Sequence, residues 1–497
     1  MTSEALNPSD APEAAPQLAP HDQSFAARNR LVINVLLVST FVVMLNETAM
    51  TVAIPRLMEA LNVTASAAQW LTTAFLLTMA IVIPVTGFLL QRLNTRPVFM
   101  LAMLLFSAGT LIAAVSPGIE LLIVGRVVQA SGTAIMMPLL MTTVMTLVPH
   151  NERGKMMGNI SIVMSVAPAI GPVLAGFILN YFEWRTLFFV MLPISLGALA
   201  IGWRMMLNVT TPRYAPLDVL SVILSAIAFG GIVYGLSGLG EHAVDGALPA
   251  WIPLAVGVVT MAVFVFRQLA LQKRDAALLD LRTLRSSNFS ISMSMIAILM
   301  LAMFGTIILL PIYLVQVLGF DTLGTGLLMM PGALLMGLLG PFVGRLYDRI
   351  GPRPLVVPAM MLVSAILWAM TLLGPTTPWP FILAGHIVMS IGFAFLFGPL
   401  FTASLSSIQP RLYSHGSALL GSIQQVAGAA GVALFVAVMT AQTVALTAGG
   451  AAHVEALAGG IRTAFIIGAV ISLFAVGASF LVRRPPPQEG GFGGSHH

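Results

Sequence analysis

Apolar residues in this chain do not alternate with polar ones, as they would in a half-buried strand. They run almost unbroken for about twenty residues at a time, the length a helix needs to cross a bilayer. A membrane barrel would instead show alternating segments of about ten residues. The pattern predicts fourteen helical spans, at roughly 31–55, 68–90, 97–116, 119–146, 156–180, 185–207, 217–239, 249–270, 288–317, 323–346, 353–374, 379–406, 413–441 and 460–482. Most exceed the minimum and need some tilt. Residues 1–30 read as a disordered tail, because their start is rich in Ala, Pro and acids. That tail lacks the apolar stretch of a cleaved signal peptide. Residues 485–497, ending GGFGGSHH, read as a tail or an engineered remnant.

Composition points the same way. The chain has 497 residues, 58% hydrophobic and only 8% charged, where a soluble domain carries about 25% charged residues. An all-α polytopic membrane protein follows. It has no cysteine, which removes disulfides and thiol chemistry. The formal net charge is +5, but its placement matters more than its value. Of the 23 Lys and Arg, Arg56, Arg185 and Arg462 fall on one set of loops, Arg126 falls inside a span, and all others fall on the opposite set. Basic loops stay cytoplasmic, so both termini are expected inside a bacterial inner membrane. The basic residues thereby serve as an orientation code, and nucleic acid is not an expected partner.

The two halves repeat. IVIPVTGFLLQRLNTRP at 81–97 aligns with LLGPFVGRLYDRIGPRP at 338–354, and GRVVQASGTA at 125–134 parallels GHIVMSIGFA at 385–394. Pro55 falls close to Pro311 in the same register. This predicts a six-helix bundle over 31–207, two inserted helices and a linker over 208–287, and a second six-helix bundle over 288–484. Parallel six-helix repeats describe the major facilitator architecture.

Few residues inside the spans carry chemistry. Glu47 is the lone ionisable side chain in the run from Leu31 to Ile54, and a carboxylate in hydrocarbon usually serves a proton or an ion. Arg126 is the one base inside a span. Counting about 1.5 Å per residue, Glu47 lies about 12 Å and Arg126 about 10 Å from the outer ends of their helices, at similar depth. Three readings stand: a proton-coupling pair, a static ion pair that fixes packing, or a Glu47 facing an outer vestibule. Asn46, Thr48 and Gln129 lie on the same helices as candidate cavity residues. His386 occupies the place of Arg126 in the second repeat, either as a titrating group or as a polar side chain bonded to a neighbouring helix. Gln424 and Gln425 either line a cavity or knit helices together. Gly171 and Pro172, with Pro168, break helix regularity in the fifth span, as a sealed bendable interface or as a passive kink. The 30 methionines, clustered at Met136, Met137, Met141 and Met145 and at Met293, Met295, Met300 and Met303, suit either an adaptable cavity or ordinary packing.

At the basic loops, GFLLQRLNTRP at 87–97 and GRLYDRIGPRP at 344–354 share Gly87 with Gly344 and Arg92 with Arg349, while Gln91 stands opposite Asp348. No Walker A sequence, GxSxG or metal-spaced His cluster is present, so neither ATP drive, a metal, a cofactor nor an enzyme is expected.

Together these motifs resemble the major facilitator superfamily, specifically its fourteen-helix drug:proton antiporters. The resemblance runs from Leu31 to Arg484. The loop at 344–353 is similar to the family's G-x-L-a-D-R-x-G-R-K motif. LNETAMTVAIP at 45–55 resembles the first-helix motif, with Asn46 in place of its acid and Glu47 next to it. LIVGRVVQASG at 122–132 and APAIGPVLAG at 167–176 resemble the fourth-helix and antiporter motifs. HGSALLGSIQQVAGAAG at 415–431 is similar to the lincomycin-resistance subgroup. The resemblance implies proton-coupled efflux of amphipathic drugs by alternating access. It also implies a central cavity walled by helices 1, 4, 9 and 12, near Glu47, Arg126, His386 and Gln425. One acid amid an apolar lining favours lipophilic cations. An exporter of an endogenous metabolite, peptide or lipid on the same fold would carry the same motifs.

Overall fold

The computed structural model describes residues 20–63, 65–209, 212, 216–240 and 249–485. The proposed tails at 1–19 and 486–497 lie outside them. Fourteen helices are long and apolar enough to cross a membrane. The first eight are α1 (Pro20–Leu61), α2 (Ala65–Arg92), α3 (Thr95–Ala114), α4 (Ile119–Leu147), α5 (Arg153–Tyr181), α6 (Arg185–Met205), α7 (Val219–Gly240) and α8 (Trp251–Leu271). The rest are α9 (Ser287–Ile312), α10 (Thr322–Ile350), α11 (Arg353–Met370), α12 (Trp379–Ser406), α13 (Tyr413–Ala448) and α14 (His453–Ser479). The helix is the only open-ended element that satisfies every backbone group within hydrocarbon. The expected all-helical architecture of fourteen spans is therefore what the chain forms.

One boundary differs markedly from the sequence pattern. α1 begins at Pro20, inside the stretch expected to be disordered, and continues past Pro55 to Leu61. Helix propagation adds one bond per residue once nucleated, so a helix anchored in an apolar span extends into polar flanks. Local caps fix other ends. Asp321 accepts from the Gly324 amide at 2.9 Å at the start of α10. Gly351 ends the same helix at φ 80°, a left-handed conformation that suits glycine.

α1–α6 and α9–α14 pack by the same rule. In the first set α1 lies on α4, α5 and α6, α2 on α4, and α3 on α4 and α6; the second set repeats each pairing eight helices later. Small residues permit the closest of these contacts. A Cβ on Gly109 of α3 would stand 2.3 Å from the Gln129 amide of α4, and one on Gly132 would stand 2.4 Å from the Ala102 carbonyl. The sets meet along α2–α13 and α5–α10, with α4 touching α13 and α5 touching α12. α7 and α8 pack on each other, and α7 lies against α2 and α13, so the inserted pair covers one flank only.

The hydrogen bonds that join the sets gather at the arginine-rich end of the bundle, called here the basic end. Thr142 of α4 bonds Ser417 of α13 at 2.8 Å, and Arg153 of α5 donates to the Ser406 hydroxyl of α12 at 3.5 Å. The amides of Gly154 and Lys155 both donate to Asp348 at 2.8 Å. The molecule is closed at that end. Just outside α7, Arg267 donates twice to Asp218 at 2.7 Å, and those bonds hold the Asp218 carboxyl down at about 2, so the pair stays ionised at neutral pH.

Candidate functional site

Arg126 is buried deep in the first set at 2% exposure. A bare guanidinium in hydrocarbon is costly, and four helices combine to hold it. Its Nη1 donates to Gln129 Oε1 at 2.6 Å and toward Asn46 Oδ1 at 3.4 Å. Its plane lies 4.0 Å from the centre of the Phe75 ring on α2, a cation–π contact that strengthens when desolvated. Gln129 passes the network on, donating to Thr110 of α3 at 2.8 Å. The residue three positions along the helix from Arg126 is thus its positioning partner. Gln129 has no exposed surface and stands inside the α3–α4 interface, not on a cavity wall as expected; Asn46, at 5% exposure, is likewise turned to Arg126. The guanidinium recruits the nearest amide oxygens, and no carboxylate among the described residues reaches it.

Glu47 follows Asn46 on α1 but does not join that cluster. It is partly exposed, and among the described residues no ion pair or hydrogen bond engages its carboxylate. Among the described residues the static ion pair with Arg126 does not form. Replacing Gln129 with Leu removes the shortest bond to Arg126 and the bond that the Thr110 hydroxyl accepts. A buried polar group left unsatisfied costs about 1–3 kcal/mol, so a lower unfolding temperature of the purified protein in detergent is expected. Gln129→Glu, which supplies an acceptor and a counter-charge, should unfold higher than Gln129→Leu.

The turn of α1 that carries Asn46 and Glu47 is seated on α5. A Cβ on Gly171 would stand 2.2 Å from Thr48 Oγ1 and 2.9 Å from the Leu45 carbonyl. Thr48 itself folds back onto the Met44 and Leu45 carbonyls at 3.2 and 3.3 Å. α5 runs unbroken through Pro168 and Pro172, so this stretch forms a close helix crossing and not a break.

The other candidates lie apart from this cluster. His386 is 8% exposed in the α10–α12 interface, where a Cβ on Gly332 would stand 2.5 Å from its Nδ1; that nitrogen has no partner among the described residues. Gln424 bonds back to the Leu420 carbonyl at 3.2 Å, and Gln425 Nε2 is buried without a partner among the described residues. At the basic end Gly87 faces Ala418, Gly344 lies on the Gly154 backbone, Arg92 stands 5.8 Å over Phe88, and Arg349 is exposed.

A small cleft opens where the two sets meet. It is lined by Ser161, Met164 and Ser165 of α5, Met300 and Met303 of α9, Met336 of α10, and Ala394 and Phe397 of α12. Of the four walls expected, α9 and α12 contribute, while α5 and α10 stand in place of α1 and α4. The Arg126 cluster occupies Asn46 of α1 and Gln129 of α4, and α4 meets the second set at Thr142 and Ser417 instead. Met300 and Met303 belong to a methionine cluster visible in the sequence. Met136, Met141 and Met145 are instead buried core residues. Met164, Met336 and the unpartnered Ser165 hydroxyl carried no signal in the sequence, since nothing in a uniformly apolar helix marks the face that meets a cleft.

Comparison with known proteins agrees with this arrangement. The family profile described as Major Facilitator Superfamily matches residues 36–432. The chain is 36% identical to the lincomycin resistance protein LmrB of Listeria monocytogenes, over 91% of this chain and 96% of that one. It is 37% identical to the uncharacterized MFS-type transporter YcnB of Bacillus subtilis, over 92% and 95%. In fold it is similar to the human organic anion transporter MFSD10, with a TM-score of 0.63 at 15% identity over 91% of this chain and 99% of that one. A profile that spans both helix sets, and relatives matched nearly end to end, make this chain a membrane transporter of the Major Facilitator Superfamily.

Proposed function

We propose that this transporter is a proton-coupled multidrug efflux antiporter working by alternating access, with its basic end and both termini in the cytoplasm of a bacterial inner membrane. The observation that carries the reading is Glu47. It is a carboxylate in the first span with no ion pair or hydrogen bond among the described residues, while neutral groups already hold the buried Arg126, so it is free to gain and lose a proton as its surroundings change. The likeness to lincomycin resistance proteins supports drugs as the cargo. The cleft supports substrates selected by apolar surface, because no charged side chain lines it and apolar burial is non-directional. Thioether side chains adapt to varied shapes. Amphipathic drugs, neutral as well as cationic, fit such a lining. With the basic end sealed, the structure corresponds in this reading to the state closed to the cytoplasm.

Susceptibility of an efflux-deficient bacterial strain tests the proposal. Expression of the chain should raise tolerance to lincomycin and to a set of lipophilic cations, and a protonophore should abolish the gain. Unchanged tolerance to every compound, from a protein shown to reach the membrane, would count against drug efflux and favour export of an endogenous metabolite, peptide or lipid.

A further inference from the structure

The two seams at the basic end use equivalent positions with unlike chemistry. In one, Asp348 of α10 accepts from the amides of Gly154 and Lys155, the second and third residues of α5. A carboxylate there gains from the helix dipole, and charge-assisted bonds are about twice as strong as neutral ones. In the other, Gln91 of α2 holds the position of Asp348. It meets Ser414 and His415, the second and third residues of α13. A neutral amide donating to the Ser414 hydroxyl at 3.2 Å takes the place of an acid on a helix start. The packing differs too. A Cβ on Gly344 would lie 2.1 Å from the Gly154 carbonyl, whereas one on Gly87 would lie 3.2 Å from the Ala418 Cβ. By its own contacts, α2–α13 is the weaker seam.

A third element fills it. The connector that leaves α8 brings Leu278 and Leu279, 2% and 1% exposed, into one apolar cluster with Ala80 and Phe88 of α2, Ala418 of α13, Phe229 of α7 and Phe264 of α8. One side chain fixes the backbone of this pair. Gln268 of α8 has no exposed surface. Its Oε1 accepts from the Leu278 and Leu279 amides at 2.7 and 3.3 Å, and its Nε2 donates to Ser221 at 2.8 Å. Ser221 bonds Asp218, which is held in turn by Arg267. The start of α7, the end of α8 and the connector are therefore one polar unit. Asp280, next in the chain and 4% exposed, is bound by Arg282.

We propose that the inserted helix pair braces the α2–α13 seam, with Gln268 as the positioning residue that seats Leu278 and Leu279 as a plug. The brace supplies at this seam the hold that Asp348 supplies at the other. The inference depends on the seam opening during transport, and on neither the identity of the substrate nor the proton.

The natural absence of cysteine allows a direct test. Spin labels on cysteines introduced at Leu93 and Gln409, in the full-length protein in lipid nanodiscs, report the width of the basic end across α2–α13. Gln268→Leu keeps the size and removes every bond the amide makes. It should raise the open population about tenfold or more, tenfold being the scale of any one of the three buried hydrogen bonds it removes. Adding Gln91→Asp, which gives α2 the acid that α10 already has, should bring the population back. A general weakening of the fold would not be repaired by an acid on α2. Leu278→Ala should shift the population in the same direction and serves if Gln268→Leu does not fold. An unchanged distance distribution in a folded variant, or a failure of Gln91→Asp to restore it, would overturn the proposal.

Discussion

Glu47→Gln should abolish proton-driven efflux. Glutamine matches glutamate in size and in its capacity to accept a hydrogen bond, so the α1 turn seated on Gly171 stays in place. It cannot bind and release a proton. No other acid lies in α1 between Arg28 and Met50, and Arg126 has no carboxylate partner among the described residues to stand in. In inverted vesicles, drug uptake driven by an imposed pH gradient should fall to that of vesicles without the protein. Exchange of labelled for unlabelled drug at equal pH on both sides needs no net proton movement and should persist. Gradient-driven uptake at the unmodified rate from Glu47→Gln would remove Glu47 from the coupling step. Loss of exchange as well would mean that the substitution damages binding or folding.

Gly344→Ala should cripple the transport cycle more than any other single methyl group at the basic end. The added carbon would stand 2.1 Å from the Gly154 carbonyl oxygen and 2.7 Å from its carbon. Both are backbone atoms of a helix start, which no rotamer change can move aside. Overpacking of this kind costs about 1–3 kcal/mol, enough to depopulate the closed seam by about tenfold or more. Turnover in proteoliposomes should drop accordingly. Gly87→Ala is the matched control, because its carbon would come no nearer than 3.2 Å to the Ala418 methyl and 3.4 Å to the Ser414 carbonyl. Equal losses from the two substitutions would show that the seams are not mechanically distinct.

The sequence carried most of the architecture. Membrane thickness imposes one length scale on every span, so fourteen apolar runs translate into fourteen helices. The motif repeats at 81–97 and 338–354 survive as α2 and α10 with Gly87 and Gly344 at equivalent seams. What the pattern did not carry is which polar groups meet. Arg126 and Gln129 are three apart on one helix, a spacing that places them together, yet the partners that complete the cluster, Phe75 and Thr110, come from α2 and α3. The unpaired state of Glu47 was equally hidden, because similar depth in two helices does not fix the angle at which each side chain points. The connector was hidden for another reason. Leu278 and Leu279 belong to a short run between spans, too brief for any periodicity, and only the buried amide of Gln268 reveals that this loop is part of the interior.

The placement of α7 and α8 makes the two flanks of the molecule unlike toward the bilayer. On one flank α2 and α13 are shielded by protein; on the other, α5 and α10 meet with no helix laid across them among the described residues. Lateral pressure and acyl-chain length therefore act on a single seam. A membrane of altered thickness bears on the α5–α10 line directly, while the braced flank feels it only through the inserted pair, which turns the transporter into an asymmetric body in a symmetric solvent.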